Sequence, residues 1–166
     1  MDYKGGGLLV NINHIREAIR RITYCYDTSD PKELIDAMGI KLGFLSNDTD
    51  INKLKGCYGM INGDKVILIH PDLNDECRRE VYAHELGHAI LHPTTNALFL
   101  ATYTYFRLGT LEIEADTLAS ELLLSDDIYY KYMGRNNGFI ASCEKVPERF
   151  VELKLNNFRK RLNKFW

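Results

Sequence analysis

The sequence predicts an α+β domain, a small sheet packed on helices. Three observations predict it. Apolar residues recur at helical spacing at both ends of the chain, a compact hairpin pattern lies in the first half, and a long, largely apolar helix follows that hairpin.

Ile12, Ile15, Ile19 and Ile22 repeat at three- and four-residue intervals, so residues 11–25 form an amphipathic helix. "SDPKELIDAMGI" predicts a second helix. Asp30 is its N-cap, Pro31 its first position, Glu33 the residue that closes a capping box, and Gly39 its stop. Residues 40–45 are an expected strand. "KGCYGMINGDKVILIHP" is an expected hairpin: strand 57–61, an Asn62-Gly63 turn, strand 65–70, and Pro71 as its end. Asn74 or Asp75 then caps a helix that Pro93 stops. "PTTNALFLATYTYF", rich in β-branched and aromatic residues, is an expected strand or extended connection. A helix is expected from about Thr110, with Leu111, Ala115, Leu118 and Leu122 as its buried stripe. Residues 126–145 form a helix fragment and loop. Val151, Leu155, Phe158, Leu162 and Phe165 mark a terminal amphipathic helix over 147–165. No repeat or linker divides the chain, so residues 1–10 are expected as a flexible lead and 11–166 as one domain.

Composition narrows the function. The 166 residues carry a net charge of −2, so the overall balance does not favour nucleic acid as a partner. "FRKRLNKFW" is basic, but such residues also complement a helix C-terminus. No apolar run matches a signal peptide or the ~20 residues of a membrane span. Cys25, Cys57, Cys77 and Cys143 are scattered without a C-x-x-C pair. They are expected as reduced thiols in the cytoplasm.

"VYAHELGHAILH", residues 81–92, concentrates the chemistry. His84 and His88 are four apart, which on a helix puts them about 40° apart in azimuth and ~6 Å along the axis. Two imidazoles so placed reach one ion with bonds of about 2.0–2.1 Å. Glu85 points beside the pair, where it can act on a water bound to that ion. The pattern is His-Glu-x-x-His, used by zinc-dependent hydrolases. His92 lies about 12 Å along the axis from His84 and cannot share that ion. It is expected behind the ligands, or as a cation near the helix C-terminus.

A hydrolytic zinc site takes three protein ligands and leaves a position for water. The extended pattern with a third histidine fails, because Leu91 and Thr94 stand where Gly and His belong. The later helix "LEIEADTLASELL" offers Glu112, Glu114 and Asp116. Glu112 and Asp116 share a face, while Glu114 is turned about 200° from Glu112. That face suits a ligand, Glu112, with Asp116 accepting the other ring N–H of a metal histidine.

"AHELGHAILH", "TTNALFLATYTYF" and "LEIEADTLASELLLS", in that order and spacing, resemble the ImmA/IrrE family of bacterial and phage metallopeptidases. The resemblance runs from about residue 30 to 125 and more weakly through "VPERFVELKL". It implies a thermolysin-like zincin fold. It implies a metal on His84, His88 and Glu112, zinc or another divalent ion such as Mn²⁺, with Glu85 as the catalytic group. It also implies a helix-turn-helix repressor as the protein partner and substrate, in a prophage or mobile element. Leu118 and Ser125 depart from the family's usual Phe and Pro, at positions of packing and helix termination.

Tyr58, His70, Tyr103 and Tyr105 are candidates by type for stabilising the oxyanion. Either hairpin strand is a candidate for pairing with an extended substrate. A metal-containing module that grips a repressor without cutting it is the alternative. An intact Glu85 argues for hydrolysis, because a scaffold has no use for a carboxylate beside the metal water.

Overall fold

The computed structural model describes residues 10–94 and 105–162, except for the side chains of 105–108. Residues 1–9 of the expected lead, most of the extended connection, Tyr103 and Phe165 therefore lie outside the described residues. Helix α1 spans Ile12–Tyr26 and α2 Pro31–Ala37. Strands β1 (Lys41–Phe44), β2 (Gly56–Ile61) and β3 (Asp64–Ile69) follow. Then come α3 (Asp75–Leu91), α4 (Tyr105–Leu123), α5 (Ile128–Lys131), α6 (Asn137–Glu144) and α7 (Glu148–Leu162).

Local chemistry explains most of the boundaries. Asn11, Asp30, Asn74 and Asn136 each accept a hydrogen bond from the backbone N–H three residues on, and so start α1, α2, α3 and α6. The capping box at α2 is only half formed. Asp30 accepts from the Glu33 N–H, but the Glu33 side chain is bonded to the Thr28 hydroxyl, and the Asp30 N–H donates to that hydroxyl. Gly39 follows α2 at φ 68°. The extended run does not reach Phe106 as expected, because α4 already begins at Tyr105. Strand propensity is a weak, context-dependent preference that helix packing overrides.

The sheet is mixed, with order β1-β3-β2. β2 and β3 form the antiparallel hairpin, turning through Asn62 at φ 52° and Gly63 at φ 88°. Positive φ at both central residues is the type I′ geometry that suits the strands' twist. β1 pairs parallel to β3, Lys41 opposite Val66 through Phe44 opposite Ile69. β3 is thus central and bonded on both sides. Of the two hairpin strands considered for substrate pairing, β2 lies at an edge among the described residues and β3 does not.

Two apolar clusters flank α3. Leu34, Ile35, Tyr58, Ile67, Ile69 and Leu86 form the one beneath the sheet. Ala83, Ala119, Leu124, Ile140, Phe150 and Val151 form the other, among α3, α4, α6 and α7. Between them α3 is buried almost all round: Ala83, Leu86 and Ala89 are fully buried, and Glu85 and His88 nearly so. Of α4's expected stripe, Ala115 and Leu118 are fully buried, and Leu111 and Leu122 are half-buried.

Helices α3 and α4 meet backbone to backbone. A Cβ at Gly87 would stand 2.9 Å from Ala115 Cα and 3.0 Å from its carbonyl oxygen. Backbone cannot swing aside, so only glycine permits this approach. A Cβ at Gly109 in α4 would meet nothing within 4 Å among the described residues. Opposite signs are therefore expected from two chemically identical changes. Gly109→Ala should stabilise by up to about 1 kcal/mol through helix propensity. Gly87→Ala gains the same propensity, but overpacking against backbone costs about 1–3 kcal/mol and should leave a net loss. Denaturant midpoints of the two variants check this; equal midpoints would contradict the close-contact account.

Candidate metal centre

α3 and α4 place three donor groups around one point. His84 Nε2 and His88 Nε2 are 3.2 Å apart. Glu112 straddles them, with Oε2 3.2 Å from His84 Nε2 and Oε1 3.3 Å from His88 Nε2. The edge of a tetrahedron around zinc is about 3.3–3.4 Å when the bonds are about 2.0–2.1 Å. The spacing and chemistry of the donors therefore fit a divalent ion. Among the described residues, His84, His88 and Glu112 form the group able to hold one. Two imidazole lone pairs facing each other at 3.2 Å repel unless a proton or a cation lies between them.

The surroundings orient these donors. Asp116 Oδ1 is 2.8 Å from His84 Nδ1, one helical turn past Glu112 on the same face of α4. That contact puts the Nδ1 proton towards Asp116 and leaves Nε2 free to bind. Burial alone would depress the His84 imidazolium. The Asp116 and Glu112 carboxylates outweigh it and, with no cation present, raise it to about 10. Hydrogen bonds from His84 and His88 hold the Glu112 carboxyl well below the usual carboxylate range.

Glu85 is 5% exposed, in the seam between α3 and β2. Burial pushes its carboxyl up, against the pull of the two histidines and of the Tyr58 backbone N–H that donates to it. The seam is narrow because β2 begins with Gly56, where a Cβ would stand 2.4 Å from Val81 Cγ1 and 3.3 Å from Glu85 Oε1. Beside it, burial and the Glu85 charge push the Cys57 thiol up to about 11, so it stays neutral.

The other expected residues are elsewhere. His92 packs near His88 with ring centroids 5.7 Å apart, and its Nε2 lies 3.4 Å from Glu114 Oε2. Burial lowers its pKa, which opposes a role as a helix-terminal cation. Tyr58 is fully buried, and its hydroxyl donates to the Pro93 carbonyl at 2.9 Å. It braces the end of α3 and does not face the metal position. His70 is also committed: Nδ1 accepts from the Asp72 N–H at 3.2 Å, which leaves Nε2–H for the Thr49 carbonyl at 2.9 Å. Its own backbone N–H donates to the Lys55 carbonyl at 2.8 Å. His70 thus pins the 49–55 loop, a wall of the cleft. Tyr105 lies in the first turn of α4.

A cleft of about 580 Å³ opens onto the site. Asn52–Cys57 form one wall, and Glu80, Val81, His84, Glu85, His88, Glu112, Asp116 and Arg149 form the rest. Neither Arg149, within "VPERFVELKL", nor Glu80 stands out in the sequence by residue type or spacing. Their contact spans 69 residues of chain, so no local pattern announces it.

The family described as peptidase M78, IrrE N-terminal-like domain, matches residues 35–163. The chain belongs to this family. It is 36% identical over 152 residues to the uncharacterized immunity region protein 2 of Bacillus phage phi105, covering 87% of this chain and 93% of that protein. It is 29% identical over 149 residues to metallopeptidase ImmA of Bacillus subtilis strain 168, covering 86% and 84%. The resemblance drawn from the motifs is thus to the right family, and the family is one of metallopeptidases. Among the described residues no helix is long and apolar enough to cross a membrane.

The raised His84 imidazolium has a consequence for stability in the metal-free protein. Its folded pKa of about 10 lies above the ordinary imidazole value of about 6.5. The stabilisation is fully present below about 6.5 and is lost as pH rises through about 10. Chelator-stripped protein should therefore lose unfolding free energy between pH 7 and 10, and His84→Asn should flatten that slope. Matching slopes in the two proteins would contradict the pairing of His84 with Asp116 and Glu112.

Proposed function

We propose that this protein is a zinc-dependent endopeptidase that cuts a helix-turn-helix repressor at one or a few bonds and so relieves repression in a prophage or mobile element. One observation carries the hydrolytic reading. A buried carboxylate, Glu85, stands beside a three-donor metal site that opens into a cleft bordered by an edge strand. The repressor is supported by family membership and by the likeness to an immunity region protein and to ImmA.

His84 and His88 would hold the ion through Nε2, and Glu112 would complete the set with a carboxylate oxygen. A zinc ion held there would supply Lewis acidity, lowering the pKa of a water and polarising the scissile carbonyl. Glu85 takes the water proton and delivers it to the leaving amine. Burial suits it to both steps, because a carboxyl with a raised pKa holds a proton long enough to pass it on. The Tyr58 N–H keeps the carboxylate aimed along the seam. An extended segment of the repressor lies along β2. Backbone pairing at an edge is indifferent to sequence, so side-chain pockets and docking of the partner supply the selectivity.

Protein purified without chelator should contain about one zinc, or a similar divalent ion, per chain. His84→Ala and Glu112→Ala should lose it and His92→Ala should keep it; the reverse pattern would refute the ligand set. Glu85→Gln should keep fold and zinc yet stop cleavage of the repressor encoded beside this protein's gene, followed as repressor length on a gel. Undiminished cutting by that variant rules out the general-base role. If the zinc-loaded wild type binds the repressor and never cuts it, the protein is a binding module. Efficient digestion of casein would mark it as a general protease.

A further inference from the structure

Arg149 is the second residue of α7, and its guanidinium joins two other helices. Nε donates to Asp116 Oδ2 on α4 at 3.1 Å, and Nη2 donates to Glu80 Oε1 on α3 at 2.6 Å. Asp116 uses its other oxygen, Oδ1, on His84 Nδ1 at 2.8 Å. An unbroken chain of contacts therefore runs from the C-terminal helix to a metal-binding imidazole. Its outer end is anchored in the core: Phe150 is fully buried, and the guanidinium lies over its ring at 4.7 Å.

We propose that Arg149 is a positioning residue for the metal centre, fixing the Asp116 carboxylate so that His84 presents Nε2 to the ion. The proposal rests on the reading of His84, His88 and Glu112 as the metal ligands. A carboxylate held only by His84 can still rotate about its own Cβ–Cγ bond and carry the imidazole with it. A second contact on its other oxygen removes that freedom. Arginine suits the task because two parts of one rigid fork meet two carboxylates in fixed directions, which the point charge of a lysine cannot do. Glu80 holds the far side of the fork and sets its plane.

Two simpler roles predict different results. If Arg149 acted only through its charge, it would repel a dication, and removing it would tighten metal binding. If it served only general stability, its loss would weaken binding by the same factor whether or not Asp116 is intact. Positioning predicts weaker binding, and only where Asp116 is present to be positioned.

The test is a double-mutant cycle on the full chain, read as affinity for zinc alone against a chromophoric chelator. Melting of the metal-free proteins serves as the check on folding. Arg149→Met should weaken zinc binding about tenfold or more, the scale on which partners of metal ligands act. In an Asp116→Asn background the same change should cost little more, because groups acting as one unit are not additive. Arg149→Lys keeps the charge and the stem, so it tests the fork even if Arg149→Met folds poorly; it too should bind zinc more weakly than the wild type. Unchanged or tighter binding in Arg149→Met overturns the proposal. So does wild-type affinity in Arg149→Lys, or an equal loss in both Asp116 backgrounds. A wild-type chain that takes up no zinc would instead refute the metal site itself.

Discussion

Everything at the site depends on how closely α3 and α4 approach at Gly87 and Ala115. Two helices with ordinary side chains between them stand 8–10 Å apart. Here the glycine between Leu86 and His88 admits the backbone of α4 directly. That contact carries Glu112, three residues before Ala115, between the two imidazoles, and Asp116, one residue after it, onto the back of His84. A wider spacing would leave two histidines on α3 and two carboxylates on α4 without a common point.

The same packing explains why the polar residues tolerate burial. α3 is covered by the sheet and α2 on one side and by α4 on the other, and buried polar groups cost stability unless they are bonded. Each is met by a neighbour: His84 by Asp116, His88 by Glu112, and Glu85 by the Tyr58 N–H. The sheet contributes through Gly56, which lets β2 lie close over Glu85, and through His70, which fastens the loop opposite. The constraints of the proposed chemistry and those of packing therefore fall on the same few positions.

Local signals were legible in the chain, and long-range ones were not. The caps at Asp30 and Asn74, the Asn62-Gly63 turn and the spacing of His84 and His88 each need only a few neighbouring residues, and each stands where the sequence suggests. Glu112 and Asp116 are recognisable as one face of a helix suited to a metal histidine; that the histidine behind which Asp116 sits is His84 emerges only from the packing of α4 on α3. α4 starts at Tyr105, and the sequence suggests the later Thr110 because aromatic and β-branched residues at the helix's N-terminal end favour a strand when considered alone. Tyr58 and His70 were candidates by type. Their partners, the carbonyls of Pro93 and Thr49, come from distant segments that no periodicity reveals. Arg149 and Gly56 matter only through what packs against them.

The central claim is that one ion is held by two histidines of α3 and a carboxylate of α4. Crystals of the zinc-loaded protein, with anomalous difference density measured on both sides of the zinc absorption edge, test it most directly. The account predicts one peak, present only above the edge, about 2.0–2.2 Å from His84 Nε2, His88 Nε2 and a Glu112 oxygen. A peak instead between His88, His92 and Glu114, or one bonded to the Cys57 sulfur at about 2.3 Å, would contradict it.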